Sequence, residues 1–176
     1  AVSAVLSWDQ ETYMPPKGAE ARAKQLATLA GIYHQKIISI SPSLFKAKTN
    51  NKYDLALVRE VKRIYEKATL IPEKLVKEIS ETSSRAIESW KRAKQENKFT
   101  LFERDLEKIL KLKIKAAKLL AGKKQSIYDV MLDEFEPELT EKEVARVFEP
   151  LKKKLSEVGI KYTLMNNSFF HFHKYY

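Results

Sequence analysis

The sequence predicts an all-α fold of five to six helices packed as antiparallel neighbours. Apolar residues recur at three- and four-residue spacing along most of the chain, which is the period of an amphipathic helix. No alternation typical of a strand competes with this period before residue 160. The chain also contains only four glycines and six prolines, which are too few turn-forming residues for many short strands.

Proline, glycine and capping residues mark the ends of the predicted helices. Pro72 begins a long helix, since proline suits the first helical turn, and Gly122 ends the next one, as glycine often does. Thr140 and Glu143 fit a capping box at the start of the last helix, which we expect to end at Gly159. The predicted helices span 18–35, 43–48, 53–68, 72–97, 106–120 and 140–159.

The composition excludes several kinds of site. The chain has no cysteine, so it contains neither a disulfide nor a thiolate metal site, and we expect a cytoplasmic protein. No apolar run reaches the roughly 18 residues that a membrane span needs, and no secretory signal is visible. The sequence also lacks a glycine-rich phosphate loop and the signature of a serine or cysteine nucleophile.

The net charge of +10 has two interpretations. It arises from 33 Lys and Arg residues against 23 Asp and Glu residues, and such a basic chain can bind nucleic acid. It can equally be the Lys-rich surface of a thermophile protein. We favour the thermophile surface over nucleic acid, because the charges are spread over the helix faces.

Two charged clusters each have a functional and a structural interpretation. A basic stripe on one helix face consists of Lys108, Lys111, Lys115 and Lys118. It could contact phosphates, although we favour its interpretation as the solvent-exposed face of an amphipathic helix. An acidic cluster consists of Asp129, Asp133, Glu134, Glu136 and Glu138. It could take part in acid–base catalysis or bind calcium, although we favour a structural role in which its side chains anchor a turn and the start of the last helix. Trp8, Trp90 and Tyr128 are predicted to pack between helices.

Three separated groups of residues form the most specific pattern in the chain. The first group comprises Trp8-Asp9-Gln10, Thr12, Met14-Pro15, Arg22, Gln25-Leu26, Leu29 and His34. The second comprises Trp90, Arg92-Ala93, Glu96-Asn97, Phe99, Phe102 and Leu106-Glu107. The third comprises Tyr128-Asp129, Leu132-Asp133, Glu136-Pro137, Thr140, Glu143 and Phe148. In this order they resemble the carboxypeptidase Taq family of zinc metallopeptidases, over roughly residues 1–158.

Two positions depart from the family pattern. Phe135 stands where the family usually has Tyr, and Glu138 stands where it usually has Gly. We expect the change at Glu138 to alter a turn.

The resemblance implies a mostly helical protein with a deep groove between two halves. Members of the family release single amino acids from peptide C-termini by means of a metal-bound water, with a glutamate as general base. Their metal, zinc or another divalent ion, is held by a His-Glu-x-x-His helix and a downstream Glu that follow the region matched here. We therefore expect an N-terminal groove-wall portion that is inactive alone. We expect it to bind peptide only when a C-terminal half completes it, and to associate with itself or with a partner chain.

No catalytic, cofactor-binding or metal-binding residue is predicted in this chain. Its histidines are His34, His171 and His173, and none is followed by a second His four residues later, the spacing of a helical zinc site. His171 and His173 lie in an aromatic segment, 160–176, that we separate from the helical domain 1–159. We interpret this segment as atypical of the family and as a candidate non-native end. The remaining alternative function is a basic helical module that binds nucleic acid or anionic surfaces.

Overall fold

The computed structural model describes residues 1–46, 48–122 and 126–165, with side chains described as far as residue 158. In these ranges the chain forms seven α-helices and no strand, which confirms the all-α prediction with one helix more than expected. The helices are α1 (Val2–Thr12), α2 (Ala19–Ile38), α3 (Lys52–Leu70), α4 (Glu73–Glu96), α5 (Thr100–Ala121), α6 (Ile127–Leu132) and α7 (Glu141–Met165). Two short 3-10 helices span Pro16–Gly18 and Pro42–Lys46.

The chain divides into two compact units between Lys124 and Gln125. Helices α1–α5 form the first unit, and α6 and α7 form the second. The sequence boundary expected near residue 160 falls inside α7, which continues to Met165. Gly159 does not end this helix, because an internal glycine costs only about 1 kcal/mol relative to alanine.

The core of the first unit lies where α2 packs on α4 and α4 packs on α5. Leu75 and Leu112 are its large buried side chains. Most of the other buried apolar residues are alanines, which let the helix backbones approach closely: Ala23, Ala27, Ala86, Ala93, Ala116, Ala117 and Ala121. At Gly31 of α2, the side chain of Lys77 from α4 occupies the space that a Cβ would take.

Several aromatic residues predicted to be buried are exposed instead. Trp8, Trp90 and Tyr128 retain about half of their accessible surface, at 56%, 48% and 52%. These predictions were wrong because spacing identifies the apolar side of a helix, whereas burial requires a second element to cover that side.

Glu138 adopts a backbone conformation that suits glycine, the residue expected at this position from the family resemblance. Glu138 has a φ of +68°, in the left-handed region, and its N–H donates to Asp133 Oδ1 at 2.7 Å. A residue with a Cβ loses roughly 1–2 kcal/mol in this conformation, and glycine does not. The turn is therefore formed despite the departure, at a local conformational cost.

Replacing Glu138 by glycine is expected to raise the stability of the turn that precedes α7. Glycine removes the strain of the left-handed conformation, and this stabilisation exceeds the free-energy cost of its greater freedom in the unfolded chain. We therefore expect the turn to be stabilised by about 0.5–1 kcal/mol. Hydrogen exchange of the Glu138 and Glu141 amides measures it, through slower local opening. Glu136→Gly is the matched control and should speed exchange, since Glu136 has no positive φ. Equal acceleration by both substitutions would contradict the explanation.

Candidate functional site

The first motif of the sequence joins α1 to α4 through a buried amide. Gln10 is only 2% exposed. Its Nε2 donates to the Ser84 carbonyl at 3.0 Å, and its Oε1 accepts from Ser84 Oγ at 3.1 Å. Lys91 of α4 adds a longer bond to the Gln10 carbonyl at 3.4 Å. The side chain thus satisfies both halves of its amide on one residue of α4 and fixes the position of α1.

Arg22 joins α1 to α2 in the same region. Its Nη2 lies 2.6 Å from Asp9 Oδ2, and its Nη1 donates to the Leu6 carbonyl. Arg22 is largely buried, and Asp9 is about one-third exposed. Asp9 and Gln10 therefore brace α1 against two different helices, while the neighbouring Trp8 lies outside and contacts Tyr13 with a ring separation of 5.3 Å.

His34 joins α2 to the segment between α3 and α4. Its Nε2 lies 3.0 Å from the Ala68 carbonyl and 2.8 Å from the Ile71 carbonyl. Because both partners are acceptors, Nε2 carries a hydrogen and donates to them. Nδ1 is buried and has no hydrogen-bond partner among the described residues. His34 therefore holds the C-terminal end of α3 in place, and its ring nitrogens are not directed at a common metal position.

The acidic cluster in the second unit anchors backbone amides. Asp133 Oδ1 accepts from the Glu138 N–H, and Asp129 Oδ1 accepts from the Glu141 N–H, each at 2.7 Å. Glu141 is the first residue of α7, where free N–H groups favour a negative charge. For Asp129 and Asp133 the anchoring interpretation is thus confirmed.

The predicted capping box is present at the start of α7. Glu143 Oε2 accepts from the Thr140 N–H at 3.1 Å and from Thr140 Oγ1 at 2.9 Å, and Thr140 Oγ1 accepts from the Glu143 N–H at 3.3 Å. The hydrogen bonds from the Thr140 hydroxyl and then from its backbone lower the pKa of the Glu143 carboxyl. Glu143 is consequently held as an anion and acts as a cap.

The basic stripe lies on the solvent-exposed face of α5. All four lysines, Lys108, Lys111, Lys115 and Lys118, are exposed, and Lys111 pairs with Glu107 at 2.7 Å. The opposite face of α5 carries Leu112, Ala116 and Ala117, which are buried. This is the pattern of an amphipathic helix packed on one side.

Within the described ranges, no group of three His, Asp or Glu side chains is arranged to hold a metal ion. The carboxylates of Asp129, Asp133 and Glu143 already accept backbone hydrogen bonds. No metal ligand is therefore assigned among the described residues. His171 and His173 lie outside the described residues.

Comparison with known proteins identifies the family to which the chain belongs. The sequence profile described as carboxypeptidase Taq (M32) metallopeptidase matches residues 1–173. The chain belongs to the M32 family. The match also includes most of the segment 160–176, so the likeness extends beyond the motifs that end near residue 158.

Curated M32 relatives are much longer than this chain. Thermostable carboxypeptidase 1 of Pyrococcus furiosus is 33% identical over 156 residues, which cover 86% of this chain and 31% of that protein. Thermostable carboxypeptidase 1 of Thermus thermophilus is 30% identical over 171 residues, covering 88% and 34%. Carboxypeptidase 1 of Bacillus subtilis is 30% identical over 156 residues, covering 85% and 31%. The chain thus spans about a third of the length of these relatives.

Solved structures agree with this assignment. The crystal structure of BsuCP superposes with a TM-score of 0.75 at 28% identity, covering 86% of this chain and 32% of that one. The structure of Pyrococcus furiosus carboxypeptidase, Apo-Mg, superposes with a TM-score of 0.72 at 31% identity, covering 94% and 34%. The all-helical M32 fold is therefore shared with these proteins. No described helix of this chain combines the length and the apolar character needed to cross a membrane.

Proposed function

We propose that this chain supplies a helical wall of an M32 metallocarboxypeptidase, whose activity is the release of amino acids from peptide C-termini. The observation that carries the proposal is the family match to about a third of each relative's length. The wall is stiffened by three side chains: Gln10 ties α1 to α4, Arg22 ties α1 to α2, and His34 ties α2 to the end of α3. A rigid wall positions a peptide and limits its access, without taking part in the bond cleavage.

The metal and the reacting groups of the proposed enzyme belong to the part of the family fold that this chain does not match. Zinc or another divalent ion would supply an activated water there. The described residues offer no fitting donor set, so we assign no catalytic step to them. A cytoplasmic location is part of the same proposal and rests on the absence of cysteine.

The pure chain is expected not to hydrolyse an N-blocked dipeptide, with or without added zinc. The measurement is chromatography of the released amino acid, with Pyrococcus furiosus thermostable carboxypeptidase 1 assayed in parallel. The expected rate for the chain is that of buffer alone, because no metal-bound nucleophile can form. Metal-dependent turnover by the pure chain would contradict the proposal.

A chimaera tests the wall itself. Residues 1–158 of this chain replace the matched region of the Pyrococcus furiosus protein, and cooperative melting establishes that the product is folded. We expect the folded chimaera to retain hydrolysis well above the buffer rate, since the catalytic groups are unchanged. A folded chimaera without activity would contradict the proposal that these helices can serve as the wall of an M32 enzyme.

A further inference from the structure

Helix α7 contains a proline in its interior. The helix spans Glu141–Met165, and it continues through Pro150. Proline has no N–H, so the Arg146 carbonyl four residues earlier receives no backbone hydrogen bond from this position, and the proline ring also crowds that carbonyl. The residue before a proline, here Glu149, favours an extended backbone over a helical one. The chain is therefore least suited to a continuous helix at Glu149–Pro150.

The contacts that hold α7 lie at its start and not on both sides of the proline. The capping box and the hydrogen bond from the Glu141 N–H to Asp129 fix the first turn, and Val144 is half-buried. Every side chain in the range 145–158 is exposed. Burial normally offsets the cost of an interior proline, and the described side chains beside Pro150 provide none. Only backbone hydrogen bonds therefore hold the two parts of α7 in line.

The backbone bonds that cross the proline are few and solvated. In a continuous α-helix the N–H groups of Leu151, Lys152 and Lys153 donate to carbonyls on the other side of Pro150. All three residues are exposed, so water replaces these bonds when the helix opens. The net contribution of three such bonds is similar in size to the cost of an interior proline. A helix that begins at Pro150 is consequently about as stable as one that runs through it.

We propose that α7 is a hinged helix that opens at Glu149–Pro150. The opened form has an anchored helix, 141–148, and a second helix in which Pro150 occupies the first helical position, where proline is favoured because no N–H is needed. The second helix turns as a rigid unit while the first keeps its place on Asp129. The structure shows the continuous form, and both forms are populated in solution. The hinge follows from α7 alone and does not depend on the proposed function.

The absence of cysteine allows the hinge to be measured with spin labels. Lys142→Cys and Glu157→Cys place labels at exposed positions on the two sides of Pro150, which lie about 22 Å apart in a continuous helix. Pulsed electron paramagnetic resonance should give a broad distribution of distances that extends well below this value. Adding Pro150→Ala should narrow the distribution to a single distance, because alanine restores the missing hydrogen bond.

Helix α5 provides a matched control in the same chain. Glu103→Cys and Lys118→Cys are also exposed, have the same separation in sequence, and lie on a helix without proline. This pair should give one narrow distance. A parent α7 distribution as narrow as that of α5 would overturn the hinge. A distribution that stays broad after Pro150→Ala would also overturn it, since α7 would then fray throughout.

Hydrogen exchange locates the opening along α7. In the parent chain the amides of Leu151, Lys152 and Lys153 should exchange faster than the amide of Val144 in the anchored part, after correction for intrinsic rates. Pro150→Ala should slow the three amides by more than about 10-fold and leave Val144 nearly unchanged. Equal slowing of all four amides would contradict a hinge at Pro150, because it would mean that α7 opens as a whole.

Discussion

Replacing Leu75 by alanine is expected to lower the free energy of unfolding of the α1–α5 unit by about 2–4 kcal/mol. Leu75 is 3% exposed and packs with Leu112 and Ala116, against which Ile71 and Ile79 also lie. Removing its branched end takes away buried apolar contacts and leaves a cavity. Ala116 cannot fill this cavity, because alanine has no rotamer through which it could move into the space.

Urea unfolding followed by far-UV circular dichroism measures the effect, compared at constant m-value. Leu57→Ala is the matched control, since Leu57 is 63% exposed and the chemical change is identical. We expect the control to stay within about 0.5 kcal/mol of the parent chain. Equal losses for the two substitutions would show that the core of the unit is not centred on Leu75.

Replacing Gln10 by leucine is expected to destabilise the same unit by about 2–3 kcal/mol. The substitution keeps a side chain of similar size but leaves the Ser84 hydroxyl and the second acceptor position of the Ser84 carbonyl buried without Gln10, and an unsatisfied buried polar group costs about 1–3 kcal/mol. Ser84→Ala removes only the hydroxyl and keeps the bond from Gln10 to the Ser84 carbonyl. It should therefore cost about 1 kcal/mol.

The double variant and an exposed control complete this test. Gln10→Leu with Ser84→Ala should cost less than the sum of the single changes, because the two residues share their hydrogen bonds. Glu11→Leu, at the exposed neighbouring position, should stay within about 0.5 kcal/mol of the parent chain. A Gln10→Leu loss no larger than the Glu11→Leu loss would refute the brace between α1 and α4.

Local signals predicted most of the helix ends. Pro72 begins α4 as its N-cap, Asn97 ends it with a φ of +49°, and Gly122 follows α5 with a φ of +56°. Each of these ends depends on the backbone preference of one residue or on an adjacent capping residue. Such local preferences can be recognised in a single sequence. The prediction that Gly159 ends α7 was wrong, because the free-energy cost of a glycine inside a helix is small compared with the stabilisation from the continued hydrogen bonds of α7.

Long-range partners could not be predicted from the sequence. Gln10 belongs to a recognisable motif, but Ser84 lies 74 residues away in a run of small polar residues that has no distinguishing pattern. The exposure of Trp90 was missed for a related reason. Its spacing from the other apolar residues of α4 shows which side of the helix it shares with them, and it does not show whether another element of the chain covers that side.

Titration of the purified chain with zinc tests the central claim most directly. The claim is the proposal that this chain, which spans about a third of the length of its M32 relatives, forms a wall and holds no catalytic metal. Isothermal calorimetry and the metal content after dialysis should show no saturable site of one zinc per chain. Tight binding of one zinc per chain that persists through dialysis would contradict the account.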